Sequence, residues 1–229
     1  MLFRSRPPGQ PALAVPRAVP GHPVAAADGV DRDVRRPRRT RDPNAQRTRL
    51  ARTAAGLTPL RLLLVRHAGT AATREARVPR DEPATEPLPD LTRWLGRGGT
   101  VITSPAARCR VEGAAVEPRL GPWDLGRWAG LPLDEVPNFA VWRADPAYNG
   151  HGGESLLAVR ARVAGLLHDW RERPGRLAAV THAAVVRAAV LHALDAPPAS
   201  AWQLDVAPGS LTELHATPTG WRVVRVNDR

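Results

Sequence analysis

Leu60-Arg61-Leu62-Leu63-Leu64-Val65-Arg66-His67-Ala68-Gly69-Thr70 is an apolar run that stops abruptly at a cation and an imidazole. Leu62 to Val65 has the continuous pattern of a strand buried on both faces, as in the middle of a parallel sheet. Arg66 and His67 then stand at the strand's carboxyl end, the edge where open α/β sheets bind ligands. Gly69 permits a tight turn or a close backbone approach there. An imidazole beside a guanidinium suits binding of, or attack on, a phosphate; a solvated strand end is the plain alternative.

The same arrangement recurs downstream. Leu177-Ala178-Ala179-Val180-Thr181 reads as a second buried strand that ends on His182, and Ala183 to Leu194 reads as a helix. Thr100 to Thr103 reads as a short strand, followed by Ser104 as a helix N-cap and Pro105 at the first helical position. That helix is expected to run to about Glu112, before Gly113. Leu156, Val159, Val163, Leu166, Leu167 and Trp170 recur at helical spacing after Ser155, a second N-cap, and stop at Pro174-Gly175. Asp90 is expected to cap a short helix through Leu95, and Leu133 to Trp142 to be partly helical. Trp202–Val206, Ser210–His215 and Trp221–Val226 read as closing strands, the last two joined by a turn at Thr217 to Gly220. Strands alternating with helices predict a three-layer α/β/α sandwich with a mainly parallel sheet. Arg66, His67, Arg108 and His182 then all fall on one sheet edge.

Composition sets the limits. The chain has 229 residues, 33 basic residues that are all Arg, 22 acidic residues and a formal charge of +11. Residues 1–57 carry +8 of that charge and the remainder +3. Residues 1–57 are rich in Pro, Arg and Ala with no sustained period, and are expected to be a disordered extension. The catalytic domain is expected to span 58–229. Nucleic-acid binding through the basic segment is disfavoured, because no aromatic residue is interleaved with Arg32 to Arg41. Cys109 is the single cysteine, so neither an internal disulfide nor a multi-cysteine metal site can form. No apolar stretch is long enough to span a membrane, and prolines interrupt the start where a signal peptide would need an apolar core. A cytoplasmic protein is expected; the oligomeric state is not legible.

Five short segments in order resemble the histidine phosphatase superfamily, which includes the cofactor-dependent phosphoglycerate mutases. Arg66-His67-Ala68-Gly69-Thr70 resembles its Arg-His-Gly-x-Thr signature, with Ala for the first Gly. Ser104-Pro105-Ala106-Ala107-Arg108 resembles its Ser-Pro-Leu-x-Arg start. Leu125-Gly126-Arg127-Trp128-Ala129-Gly130 resembles Phe-Gly-x-Trp-Glu-Gly, and Gly152-Gly153-Glu154-Ser155 matches its Gly-Gly-Glu-Ser loop. Thr181-His182-Ala183-Ala184-Val185-Val186-Arg187 resembles Ser/Thr-His-Gly-Gly-x-Ile-Arg.

The resemblance implies the sandwich fold and a phosphomonoester hydrolase acting through a phosphohistidine on a small phosphorylated metabolite. His67 would be the nucleophile, neutral because nearby Arg charges disfavour its protonation. Arg66 and Arg108 would clamp phosphate oxygens. His182, protonated when phosphate is bound, would stabilise transition-state charge. Thr70 and Thr73 would contact substrate, Thr73 standing where many relatives have Asn. No metal or cofactor is expected. The family's usual acid, a Glu, falls at Pro122, which cannot donate a proton. Asp124 becomes the candidate acid, or else a turn-stabilising carboxylate. Glu154 comes next as acid or substrate contact, and Asp81 and Glu82 could reach in from the loop of residues 74–89. Two alternatives stay open: a mutase of the same fold, disfavoured because little length is spare between Arg108 and Leu120 and after Gly130, and a weakly catalytic phospho-ligand binding protein, which the missing Glu motivates.

Overall fold

The computed structural model describes residues 58–229. The expected extension at 1–57 lies outside the described residues.

Six strands form one mixed sheet: β1 (Arg61–Arg66), β2 (Thr100–Thr103), β3 (Ala115–Val116), β4 (Arg176–Thr181), β5 (Leu211–Thr217) and β6 (Gly220–Asp228). Their spatial order is β3-β2-β4-β1-β5-β6. The first four neighbours run parallel, and β5 and β6 add an antiparallel edge. The fold class is the expected one. β1 and β4 pair in register from Arg61 opposite Arg176 to Arg66 opposite Thr181. That pairing sets His67 and His182 one step past the ends of adjacent parallel strands. The His67 amide continues the ladder by donating to the Thr181 carbonyl at 2.9 Å.

Strand side chains alternate between the two faces, and both faces of β1 and β4 are buried. Leu62, Leu64, Leu177 and Ala179 join the larger core with Val159, Val163, Leu166, Leu167 and Trp170 of α4 (Leu156–Trp170) and the apolar side of α5 (Ala183–Ala193). Leu63, Val65, Ala178 and Val180 face a thinner layer built on Leu95 and Cys109. α1 (Ala71–Arg74), α2 (Thr92–Leu95) and α3 (Phe139–Ala144) are single short turns or little more. The expected Ser155 cap is present, its hydroxyl accepting from the Ala158 amide at 3.1 Å. Asp90 falls one residue short of the cap position, which is Leu91, although its carboxylate accepts from the Thr92 amide at 2.9 Å.

Two expected elements differ. The segment after Ser104 is a single 3₁₀ turn at Ala107–Cys109, and Arg110 returns to an extended conformation. Partners outside the segment take over here: Asp81 accepts from the Ala107 amide, and Arg108 turns inward, 3 % exposed. Trp202 to Val206 is not a strand; Pro198–Gln203 is a 3₁₀ helix. Side chains satisfy the backbone that follows it. Arg187 Nε donates to the Leu204 carbonyl at 2.9 Å, the Arg66 guanidinium donates to the Val206 carbonyl, and the Ala207 amide donates to Asn227 Oδ1 at 2.6 Å. Arg187 is thus held chiefly by a carbonyl, although Asp205 lies close enough to act on its charge. No helix among the described residues is long and apolar enough to cross a membrane.

Candidate active site

At the carboxyl edge of β1 and β4 the His67 and His182 rings stand edge to face, centroids 5.2 Å apart and planes 62° apart. Both are nearly buried, at 6 % and 5 % exposure. Arg66, from the last residue of β1, and Arg108, from the 3₁₀ turn after β2, lie close enough to act on the charge of both imidazoles. The structure therefore gathers the four residues into one cluster.

The tautomer of His67 follows from its partner. Nδ1 lies 2.7 Å from the Ala68 carbonyl oxygen, which can only accept, so Nδ1 carries the hydrogen. In the neutral ring Nε2 then holds the free lone pair. Burial is the main reason that the His67 pKa drops to about 4; the Ala68 bond opposes the shift, and Arg108 and Arg66 add to it. The arginine effect expected from the sequence is present but secondary. His182 is pushed well below its usual range, by burial first and then by Arg108 and His67. Without an anion in the cluster both rings are neutral at pH 7, so a protonated His182 requires one. His182 Nε2 lies 2.8 Å from Ser104 Oγ, which also accepts from the Ala106 amide at 3.2 Å. Ser104 is thus a partner of His182 rather than a helix cap.

Each arginine is tethered at one end. The Arg66 guanidinium reaches the Val206 carbonyl, and Arg108 Nη1 donates to the Arg80 carbonyl at 2.7 Å. The Nε atoms of both are buried with no hydrogen-bond partner among the described residues. Buried donors left unsatisfied are rare and costly. Here two of them belong to cations beside an imidazole lone pair, an arrangement suited to a tetrahedral oxyanion.

The loop of residues 79–85 is tied over the cluster. Asp81 Oδ1 lies 2.8 Å from the Ala107 amide and 3.9 Å from Arg108 Nη1. The Thr85 amide and hydroxyl both donate to the Gly69 carbonyl, at 2.7 and 3.0 Å. Thr70 is fully buried and caps α1, accepting from the Thr73 amide at 3.2 Å; the two threonine hydroxyls are 3.1 Å apart. Cys109 is a buried core residue with its thiol pushed up to about 12 by burial.

Beside the cluster lies a cleft of about 360 Å³ that shares Arg108 and includes Asp81, Pro122, Trp123 and Asp124. Asp124 is exposed, and its Oδ1 accepts from the Gly126 amide at 2.9 Å, an Asx turn. Gly126 has φ +50°, and a Cβ there would strike the His151 carbonyl. The Glu154 amide donates to the Asp124 carbonyl at 2.8 Å, joining the two glycine loops. The Glu154 carboxylate does not stand free. Arg162 grips it with Nε at 2.9 Å and Nη2 at 2.8 Å. The same guanidinium donates to the carbonyls of Arg119, Gly121 and Pro122. Glu82 has one carboxylate oxygen buried without a partner among the described residues. Among the described residues no group of three or more His, Cys, Asp or Glu is placed to hold a metal ion.

The sequence reading missed Arg162 and the second role of Ser104. Arg162 adjoins the apolar stripe of α4, a position where a charged residue needs buried partners, but those partners are far away in sequence.

The profile of the histidine phosphatase superfamily (branch 1) matches residues 100–229, more than half of the chain. The chain belongs to that superfamily. Arg66 and His67 precede the matched residues, and fold comparison covers their region. A mycobacterial glucosyl-3-phosphoglycerate phosphatase, solved with VO3, superposes with a TM-score of 0.58 at 24 % identity, over 74 % of this chain and 99 % of that one. A phosphoserine phosphatase from Entamoeba histolytica, solved as a mutant with phosphoserine, gives 0.63 at 16 % identity, over 73 % and 96 %. A putative alpha-ribazole-5'-P phosphatase from Escherichia coli gives 0.58 at 18 %, over 74 % and 97 %. No curated protein sequence matches the chain.

Proposed function

We propose that this protein is a phosphomonoester hydrolase that works through a phosphohistidine on a small phosphorylated metabolite. The observation that carries the reading is the pair of buried, neutral imidazoles beside two arginines whose Nε donors have no partner among the described residues. His67 Nε2 attacks phosphorus while Arg66 and Arg108 hold the non-bridging oxygens. The ester P–O bond breaks, and its electron pair leaves on the alcohol oxygen, which takes a proton from Asp124. Water, deprotonated by the same carboxylate, then attacks phosphorus, breaks the P–N bond and releases inorganic phosphate. His182 takes a proton when the phosphate dianion enters, which reverses the balance that keeps it neutral in the free protein, and Ser104 orients its ring. The arginines supply the charge that a metal ion would supply elsewhere. Thr70 and Thr73 shape the turn behind the nucleophile, and Glu154 acts through Arg162 by fixing the loop that carries Asp124. The structural neighbours, phosphatases of glucosyl-3-phosphoglycerate, phosphoserine and alpha-ribazole-5'-P, support a small phosphorylated substrate.

Residues 58–229 make the catalytic domain in this reading, and the protein acts in the cytoplasm. The proline at position 122 favours a second reading, a phospho-ligand binding protein with little turnover. A phosphate-release screen over phosphomonoesters, on the full chain and on residues 58–229, separates the two. Turnover should survive trimming and fall by about 10⁴–10⁶ in His67→Ala. Tight phosphate-ester binding without release would establish the second reading.

A further inference from the structure

The cleft beside Arg108 differs in chemistry from the cluster that it adjoins. Pro79, Pro105, Pro122, Trp123 and Leu125 line it. The three prolines offer neither a polar side chain nor a backbone N–H. The polar atom of Trp123 is already used, since its Nε1 donates to the Glu154 carbonyl at 2.7 Å. What Trp123 can offer a ligand is therefore ring carbon. The ring is held firmly, stacked on Trp202 with centroids 6.0 Å apart and tilted against Trp142 at 4.9 Å. Beyond Arg108, which faces the phosphate, the cleft's charged residues are Arg80, Asp81 and Asp124. Asp81 already lies 3.9 Å from Arg108 Nη1, so two carboxylates and a single further guanidinium leave this end little free positive charge for a second acidic group. Arg80 also has a backbone partner, Nε donating to the Ala129 carbonyl at 3.4 Å.

We infer that the cleft selects phosphate esters whose leaving group is flat, apolar and uncharged, an aryl or fused-ring alcohol laid against Trp123, and rejects those carrying a second acidic group. This rests on the phosphatase reading and narrows it. A flat apolar group gains contact with a fixed aromatic wall at little entropic cost. A carboxylate or second phosphate meets Asp81 and Asp124 in a site with few donors to replace its water. The proline at 122 fits the same chemistry, because a phenolate leaves with little help from an acid.

The test separates binding from chemistry. Inhibition constants for (1-naphthyl)methylphosphonate, methylphosphonate and 3-phosphonopropionate are measured on the full chain, competing against p-nitrophenyl phosphate or, without turnover, by direct titration. Phosphate release from 1-naphthyl phosphate and O-phosphoserine is followed in parallel. The naphthyl phosphonate should bind at least tenfold more tightly than either other phosphonate. Trp123→Ala should remove most of that preference and Trp123→Phe should keep it. Asp81→Asn should improve 3-phosphonopropionate selectively. Equal or tighter binding of 3-phosphonopropionate, an unchanged preference in Trp123→Ala, or no binding of any phosphonate would overturn the inference. The expected order of binding without release from 1-naphthyl phosphate would leave the inference standing and refute the phosphatase reading. His67-dependent release with no naphthyl preference would do the reverse.

Discussion

The histidine–arginine cluster and the cleft beside it share Arg108 and are built on opposite plans. In the cluster every reacting group sits at the end of an element or next to it. His67 and His182 follow adjacent parallel strands in fixed register, Arg66 ends β1, and Arg108 is tethered to the Arg80 carbonyl. All the imidazole and guanidinium groups are substantially buried, and two of their donors lack partners among the described residues. The cleft is built from loops, prolines and one tryptophan, and both of its carboxylates already accept from backbone amides. The first region is preorganised for an anion whatever it is attached to. The second provides selectivity, and its acid chemistry rests on Asp124. A fold can therefore keep the part that recognises phosphate while the part that assists the leaving group changes.

The strongest way to break this comparison is at Asp124. An alkyl alkoxide is a poor leaving group unless protonated in flight, and a positioned acid contributes about 10²–10⁴-fold to such a step. Asp124→Asn should slow alkyl phosphates by roughly that factor, and hardly change p-nitrophenyl phosphate. It should also remove the basic limb of the alkyl pH–rate profile. Equal loss on both substrates would make Asp124 a loop-shaping residue, as its bond to the Gly126 amide allows. No loss on either would move the role to Asp81 or Glu82, since Glu154 is gripped by Arg162.

The second test is thermodynamic and concerns the cluster alone. His67 titrates at about 4 in the folded protein because burial disfavours its charged form. In the unfolded chain it titrates near the usual 6.5. Between those values the unfolded chain binds the extra proton, so stability falls as the pH drops from about 6.5 to about 4. The His67 contribution across that window is about 3 kcal/mol, and His182 acts in the same direction. Urea unfolding at pH 7, 6 and 5 should show this slope, and His67→Gln should flatten it. Parallel slopes in the two proteins would show that His67 is not held neutral by the fold.

A smaller effect is expected at Ser104. Removing its hydroxyl leaves His182 Nε2 only the weaker contact with Cys109 Sγ at 3.6 Å, which costs about 1 kcal/mol, or roughly five- to tenfold in kcat/KM. The loss should be similar for aryl and alkyl phosphates, because Ser104 acts on the phosphate end. A loss confined to alkyl substrates would join Ser104 to the acid machinery and blur the division between the two regions.

Much of the cluster is legible in the sequence because it depends on strand ends. An apolar run that stops at Arg66-His67 and another that stops at His182 give both position and direction, and parallel pairing does the rest. Helix α4 is equally legible from its spacing and from Ser155. The segment from Ser104 to Glu112 misleads, because Ser-Pro reads as a cap. Here Ser104 is drawn to His182, and Asp81 takes the Ala107 amide. Trp202 to Val206 misleads for a related reason: its backbone partners are the side chains of Arg187, Arg66 and Asn227, which no local pattern reveals. Arg162 reaches back some 40 positions to the carbonyls of residues 119–122 while it holds Glu154, and only tertiary structure brings these together.

The central claim is that His67 Nε2 carries the phosphoryl group, and rapid quench of the full chain with 1-naphthyl phosphate in alkali tests it most directly. The account predicts one phosphoryl group per active chain that survives base, is lost in acid, and maps by mass spectrometry to His67. It should be absent from His67→Ala and present in Asp124→Asn. A phosphoryl group on another residue, or steady release of phosphate with no trapped enzyme species and undiminished in His67→Ala, would contradict the account.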